Sequence, residues 1–294
     1  MNNKLRMTIV GHGFVGKAID YAFQHNVEKK IIDPIYGSCI DSTKKLEEDV
    51  TFVCVPTPMG EDGKIDASIL IDTMKKIKRR MTGLIVIKST VTPDILDEII
   101  TDNLKRRIVY APEFLTEKNA NQDIVNPRMH VFGGNKEATD ELARIYYEYS
   151  MVNVNVPVYH MTVADASFIK YGLNCYLASK VLWFNQFKEL VNDRGGNADK
   201  VISIMSTDER INSSHTRTPG YDGKLGFGGA CFPKDTRAFN SYAQSKPGRQ
   251  QFPILDFVIE ENDIYRSLYE LDDREKAQNV QYNMSGEVAP VNER

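Results

Sequence analysis

Across residues 5–156, short runs of β-branched and other apolar residues alternate with stretches of helical period. The runs fall at 7–10, 29–33, 51–55, 83–88, 107–111, 129–134 and 152–158. The stretches at 14–25, 66–80, 93–104 and 136–149 carry their apolar residues on one face. Near-continuous apolar strands separated by amphipathic helices predict a parallel sheet covered on both sides. Short right-handed crossovers then favour an α/β, Rossmann-type doubly wound layout.

The period changes after His160. Residues 163–193 contain no proline and only one glycine, Gly172. Ala164, Phe168, Tyr171, Cys175, Ala178, Leu182 and Phe187 recur close to helical spacing, which predicts one long central helix. Arg194-Gly195-Gly196 is its stop signal. Trp183, the only tryptophan, is expected in the core. A shorter helix from Ala198, a glycine-rich loop over 212–233, and helices over 235–245 and 254–270 complete an all-α region. From Asp273 the chain is polar and aperiodic, and reads as a flexible tail. The expected organisation is a dinucleotide-binding domain (1–156), a helical domain (157–272) and a tail (273–294).

Composition narrows the function classes. The 294 residues carry a net charge of −3, so an electrostatic nucleic-acid binder is disfavoured. No apolar run approaches the ~18 residues that span a bilayer, and the N-terminus lacks a signal-peptide core. The four cysteines (Cys39, Cys54, Cys175, Cys231) show neither CxxC nor Cys/His metal spacing. The expectation is a cytoplasmic protein with reduced thiols, no metal, no membrane contact and no nucleic-acid partner.

Two segments carry chemistry. Gly11-His12-Gly13-Phe14-Val15-Gly16 follows a strand and opens a helix, the context a GxGxxG fingerprint requires. Gly11 serves the tight turn, Gly13 the approach of a pyrophosphate and Gly16 the helix–strand packing. Asp33 ends the second strand, where a carboxylate binds the ribose 2′-OH of NAD and repels the 2′-phosphate of NADP. The second segment is Gly226-Phe227-Gly228-Gly229-Ala230-Cys231-Phe232-Pro233-Lys234-Asp235. Its glycines fold the backbone around a thiol that lies near a helix start and beside Lys234, both of which favour thiolate. Cys39, Cys54 and Cys175 are expected to be structural, and His215 an exposed loop residue.

This second segment resembles the catalytic loop of the UDP-glucose/GDP-mannose dehydrogenase family, the nucleotide-sugar 6-dehydrogenases. Further segments match in order: Val53-Cys54-Val55-Pro56-Thr57-Pro58, Lys88-Ser89-Thr90-Val91, Ala111-Pro112-Glu113-Phe114-Leu115-Thr116-Glu117, Asp123 with Pro127-Arg128, Lys170-x-x-x-Asn174 and Arg210-Ile211. The resemblance implies NAD-dependent, four-electron oxidation of a sugar C6 alcohol, with UDP-glucose the expected substrate. Cys231 would form a thiohemiacetal and then a thioester. Lys170 and Asn174, one helical turn apart, would stabilise oxyanion character. Asp235 would position water with Thr90 assisting, and Glu117 would act as general acid or base, with Glu113 structural. Thr57, Pro58, Thr90 and Lys234 would contact NAD together with the glycine loop. Phe114, Leu115, Thr116, Lys170, Asn174, Arg210, Tyr221 and Gly228 would line the sugar site, Arg210 across a homodimer interface made by the long helix.

The sequence departs from the family pattern at Thr92-Pro93-Asp94-Ile95 and at Lys118-Asn119. Family members also continue into a further domain that holds the nucleotide, and this sequence ends after the segment matching 254–270. Two other readings therefore stand beside the first. One is an NAD-binding remnant or regulatory subunit without turnover. The other is a 3-hydroxyacid-type dehydrogenase, which shares the Lys-x-x-x-Asn pair but needs no cysteine.

Overall fold

The structure is a computed structural model that describes residues 4–41, 48–80, 82–101, 104–116, 118–245 and 252–282. The chain divides into two compact units, residues 1–57 with 66–170, and 58–65 with 171–294. The division falls inside the long helix, at Lys170/Tyr171, where the sequence pattern suggested a boundary at 156.

The first unit holds a seven-stranded sheet in the order β2-β1-β3-β4-β5-β6-β7. The strands are β1 (Leu5–Val10), β2 (Val27–Ile32), β3 (Val50–Val53), β4 (Leu84–Ile87), β5 (Ile108–Tyr110), β6 (His130–Gly133) and β7 (Val158–Met161). β3 and β4 read VTFV and LIVI and are buried at every position, as strands covered on both faces must be. The edge strand β2 instead alternates Glu28 and Lys30 outward, which blunts an open edge. The helices are α1 (Phe14–Ala22), α2 (Ser68–Arg80), α3 (Pro93–Ile99), α4 (Ala120–Val125) and α5 (Lys136–Tyr149). Phe23, Phe52, Phe132 and Tyr146 form an aromatic cluster in the core, with ring centroids 5.2–6.2 Å apart.

Three expectations need correction here. β5 and β6 pair antiparallel, through Tyr110 and Gly133, so the sheet is mostly rather than wholly parallel. Their connection carries only the six-residue α4, and an antiparallel neighbour needs no full crossover. The last strand is Val158–Met161, not 152–158. The Val-Asn-Val-Asn-Val alternation mimics a strand, but the Asn153 side chain accepts from the Asn155 N–H and bends the chain there. Finally, α3 stops at Ile99, before the poor helix formers that begin at Thr101.

The second unit is built on α6 (Val163–Asp193), whose 31 residues match the predicted span. It ends in a Schellman motif: Gly196 N–H donates to the Val191 carbonyl, and Gly195, at φ +74°, donates to Asn192. Helices α7 (Ala198–Met205), α8 (Phe232–Gln244) and α9 (Pro253–Arg266) follow. Ala178 and Leu182 of α6, Phe227 of the glycine-rich loop and Val258 of α9 form a buried core, with Phe232 of α8 packed against it. Trp183 is exposed, because it lies about 100° around α6 from the buried stripe. The expected tail is also corrected. Residues Asp273–Ala277 form α10, opened by a capping box between Asp272 and Glu275.

Candidate functional site

In the first unit the dinucleotide loop has the geometry its glycines predict. Gly11 sits at φ +87°, and a Cβ there would lie 2.6 Å from the Cys54 carbonyl oxygen. A Cβ on Gly16 would lie 2.0 Å from the Gly11 carbonyl oxygen, so only glycine allows this turn against α1. Gly13 differs: nothing lies within 4 Å of its missing Cβ. No side chain caps the N-terminus of α1, the kind of helix start at which anions bind. Phe14 is exposed and Val15 half-buried at the start of that helix. Asp33 is at the end of β2, where one oxygen accepts the His12 N–H at 2.6 Å and the other accepts the Ile35 N–H at 2.9 Å. These residues fit a dinucleotide: an open glycine, an uncapped helix start and a carboxylate beside them.

A buried charge cluster follows the neighbouring strand ends of the same unit. Lys88 comes directly after β4, and Glu113 after β5. Lys170 Nζ donates to the Glu113 carbonyl at 2.7 Å, lies 3.5 Å from its carboxylate, and sits 5.6 Å from the Phe114 ring centre. Lys88, Lys170 and Glu113 are all buried. Burial pushes the Lys88 ammonium down to about 8, with Glu113 opposing. Burial likewise pushes the Cys54 thiol up to about 12, which leaves it inert. Thr57 donates its hydroxyl to the Thr90 carbonyl at 2.9 Å and so shapes the Thr90 turn. Leu115 packs against the core of the unit, and Thr116 binds the Asp123 carboxylate through both its N–H and hydroxyl. Glu117 lies outside the described residues.

In the second unit Cys231 is the N-cap of α8, so this helix begins three residues earlier than its period suggested. Its carbonyl accepts the Asp235 N–H at 2.8 Å. Asp235 is buried, with Oδ2 accepting from Asn174 at 2.6 Å and Oδ1 from Lys234 at 2.5 Å. The Lys234 charge is therefore matched by Asp235. Each carboxylate oxygen keeps a lone pair for a further donor. Burial, with the Asp235 charge adding to it, pushes the Cys175 thiol well above the usual range.

Several expected residues have other partners. Arg210 is exposed and folds back onto Asp208 through two hydrogen bonds at 2.9 and 2.5 Å. Tyr221 is exposed, with the Arg217 guanidinium 4.6 Å from its ring centre. Gly228 packs its α-carbon against Arg266, where a Cβ would meet Nη2 at 2.2 Å. Pro58 belongs to the second unit. A cleft of about 420 Å³ between α7 and residues 213–218 is lined by none of the expected site residues.

Other residues of the site were not singled out from the sequence. Asn185 accepts the Gly226 N–H at 3.2 Å, and Asn262 brackets Phe227 by accepting its N–H at 2.6 Å and donating to its carbonyl at 3.1 Å. The only local signal was an amide at a buried helix position, which a sequence does not distinguish from an exposed one. Among the described residues no group of three or more His, Cys, Asp or Glu is placed to hold a metal ion. Among them, too, no helix is long and apolar enough to cross a membrane.

The model of the UDP-glucose/GDP-mannose dehydrogenase family NAD binding domain matches residues 20–151, and that of its central domain matches 164–263. UDP-glucose 6-dehydrogenase of Rickettsia bellii is 31% identical over 287 residues, covering 87% of this chain and 62% of that protein. The chain thus spans less than two thirds of that relative's length. Among solved structures, a UDP-glucose dehydrogenase from Pyrobaculum islandicum superposes with a TM-score of 0.74 at 24% identity, over 89% of this chain and 68% of that one. A 3-hydroxyisobutyrate dehydrogenase from Mycobacterium tuberculosis gives 0.67 at 16% identity, over 96% and 97% of the two chains. At those identities the two structures support the fold alone. The cofactor of the matched N-terminal domain is NAD. With the NAD-binding and central domains of that family matched in order along it, the chain belongs to the UDP-glucose/GDP-mannose dehydrogenase family.

Proposed function

We propose that the chain catalyses NAD-dependent oxidation of a nucleotide sugar at C6, UDP-glucose to UDP-glucuronate, with Cys231 as nucleophile. The observation that carries this reading is Cys231 at the N-cap of α8, one turn before an Asp235 held by Asn174. A 3-hydroxyacid dehydrogenase has no use for that thiol. NAD bound at the Gly11–Gly16 loop would supply the hydride acceptor, with one molecule reduced in each of the two oxidations and NADH exchanged between them. In the first, the C6 alcohol loses a hydride and a proton and becomes an aldehyde. The Cys231 thiolate then adds to that carbon, and the oxyanion formed is stabilised by the Lys170 ammonium and the Asn174 amide. The thiohemiacetal carbon loses the second hydride and becomes a thioester. Water, positioned by Asp235 with Thr90 assisting, attacks it, the C–S bond breaks, and the acid leaves as the thiol is restored. Glu117 is the acid–base group of this scheme, while Phe114, Thr116, Tyr221 and, once released from Asp208, Arg210 would face the sugar nucleotide. Thr57, Pro58 and Lys234 complete the NAD contacts. The scheme needs a reduced thiol, which suits a cytoplasmic location.

The test is a count of NADH released per mole of UDP-glucose consumed. Two per sugar is expected, and Cys231→Ser should release no acid while still binding NAD. One NADH per substrate would favour the hydroxyacid-type reading. NAD binding with no turnover on UDP-glucose, UDP-galactose, UDP-GlcNAc or GDP-mannose would favour a binding subunit.

A further inference from the structure

The loop that carries Cys231 is held on its far side by a fully buried ion pair. Arg266, at the end of α9, donates from Nη2 to Glu275 Oε1 at 2.7 Å and from Nη1 to Asp222 Oδ2 at 2.8 Å. Glu275, on α10, has no exposed surface, and Arg266 almost none. The same Glu275 oxygen accepts the Tyr282 hydroxyl at 2.8 Å and the Gly229 N–H at 3.2 Å. Its other oxygen accepts the Asp272 N–H at 2.9 Å. The pair presses directly on the loop backbone, since a Cβ on Gly228 would lie 2.2 Å from Arg266 and 2.6 Å from Glu275. Gly229, two residues before Cys231, sits at φ +80°. Beyond α10, Gln278 accepts the Met59 N–H at 2.9 Å and Val280 is buried, so the segment is fastened at both ends.

We propose that the Arg266–Glu275 pair is the positioning device of the Cys231 loop, with α10 closing the segment 272–282 over the loop to hold the thiol at the N-terminus of α8. This rests on Cys231 as the nucleophile. A buried ion pair is retained at a desolvation cost, and removal of one partner strands the other charge. Here the stranded charge would lie against Gly228, so the disturbance reaches the loop first. The charged and titratable groups facing Glu275 are Arg266, Tyr282 and, through Arg266, Asp222. Near the N-terminus of α8 are Lys234, Asp235 and His215, whose ring centre lies 5.5 Å from that of Phe232.

The test is the pH profile of iodoacetamide alkylation of the whole chain, resolved by peptide mass spectrometry. Cys39, which is exposed and in the other unit, serves as internal reference. In Glu275→Gln the Cys231 midpoint should rise by at least half a pH unit, with its rate at pH 7 falling about threefold or more, while Cys39 is unmoved. Tyr282→Phe, which keeps the ion pair, should shift the midpoint the same way by less. An unmoved or lowered Cys231 midpoint in either variant that keeps a native far-UV circular dichroism spectrum overturns the inference. If the parent's own midpoint is that of an ordinary thiol, about 8.5, the nucleophile reading fails instead. The parent-to-variant difference still decides the role of the pair.

Discussion

His130 shows how much a single side chain owes to its surroundings. Its ring stacks on Phe132 at 5.3 Å and lies 4.9 Å from Tyr146, and its Nε2 has no hydrogen-bond partner. Burial, aided by the Lys88 charge, pushes it down to about 4. The unfolded chain takes up this proton first, near pH 6.5, so folding is favoured fully above 6.5 and loses ground as pH falls to 4. The contribution is of order 2–3 kcal/mol. His130→Phe should therefore narrow the difference in urea stability between pH 7 and pH 4 by about that amount. A parent-minus-variant difference that stays constant with pH would refute this. Lys88 and Glu113 belong to the same scale: both sit in motifs read from the sequence, but the burial that shifts Lys88 comes from strands distant along the chain.

At the scale of elements, the glycine loop separates two kinds of glycine. Gly16 is required by packing, because its Cβ would meet the Gly11 carbonyl at 2.0 Å. Gly13 has open space and an ordinary backbone, φ −76° and ψ −150°. Gly16→Ala should destabilise the first unit by about 1–3 kcal/mol. Gly13→Val should leave the thermal melt nearly unchanged but weaken NAD at least tenfold by calorimetry. Normal NAD affinity in that variant would contradict pyrophosphate approach at Gly13. Local elements such as this loop, α6 and its Gly195-Gly196 stop were legible because turn, period and cap lie within a few residues. The strand expected at 152–158 was misread for the same reason: alternation is local, and the Asn153 turn that overrides it is a specific side-chain bond. α10 was missed because five residues are too few to show a period.

For the whole molecule, α6 offers a face that the described residues leave exposed. Tyr176, Trp183 and Leu190 recur every seven residues and are 63%, 49% and 57% exposed. Aromatic and aliphatic residues at that spacing suit a second helix, and we propose this face as the interface of the homodimer expected from the sequence. The parent should sediment at twice its 33.4 kDa, and Trp183→Glu should sediment as a monomer with its melt unchanged. A monomeric parent, or a variant that still dimerises, would exclude this face as the interface.

The sequence by itself determined the α/β class, the long helix and the glycine loop with Asp33, and it singled out Cys231 as the candidate for chemistry. Each is encoded within a short window, by spacing or by glycine's conformational freedom. Only the tertiary structure decided the partners of the charged groups. Lys170 meets Glu113 across 57 residues, Asn174 meets Asp235 across 61, and Arg266 meets Asp222 across 44. Which buried charge finds which partner depends on chain packing that no local period records. In this protein that packing decides where Lys234 spends its charge and what holds the Cys231 loop in place.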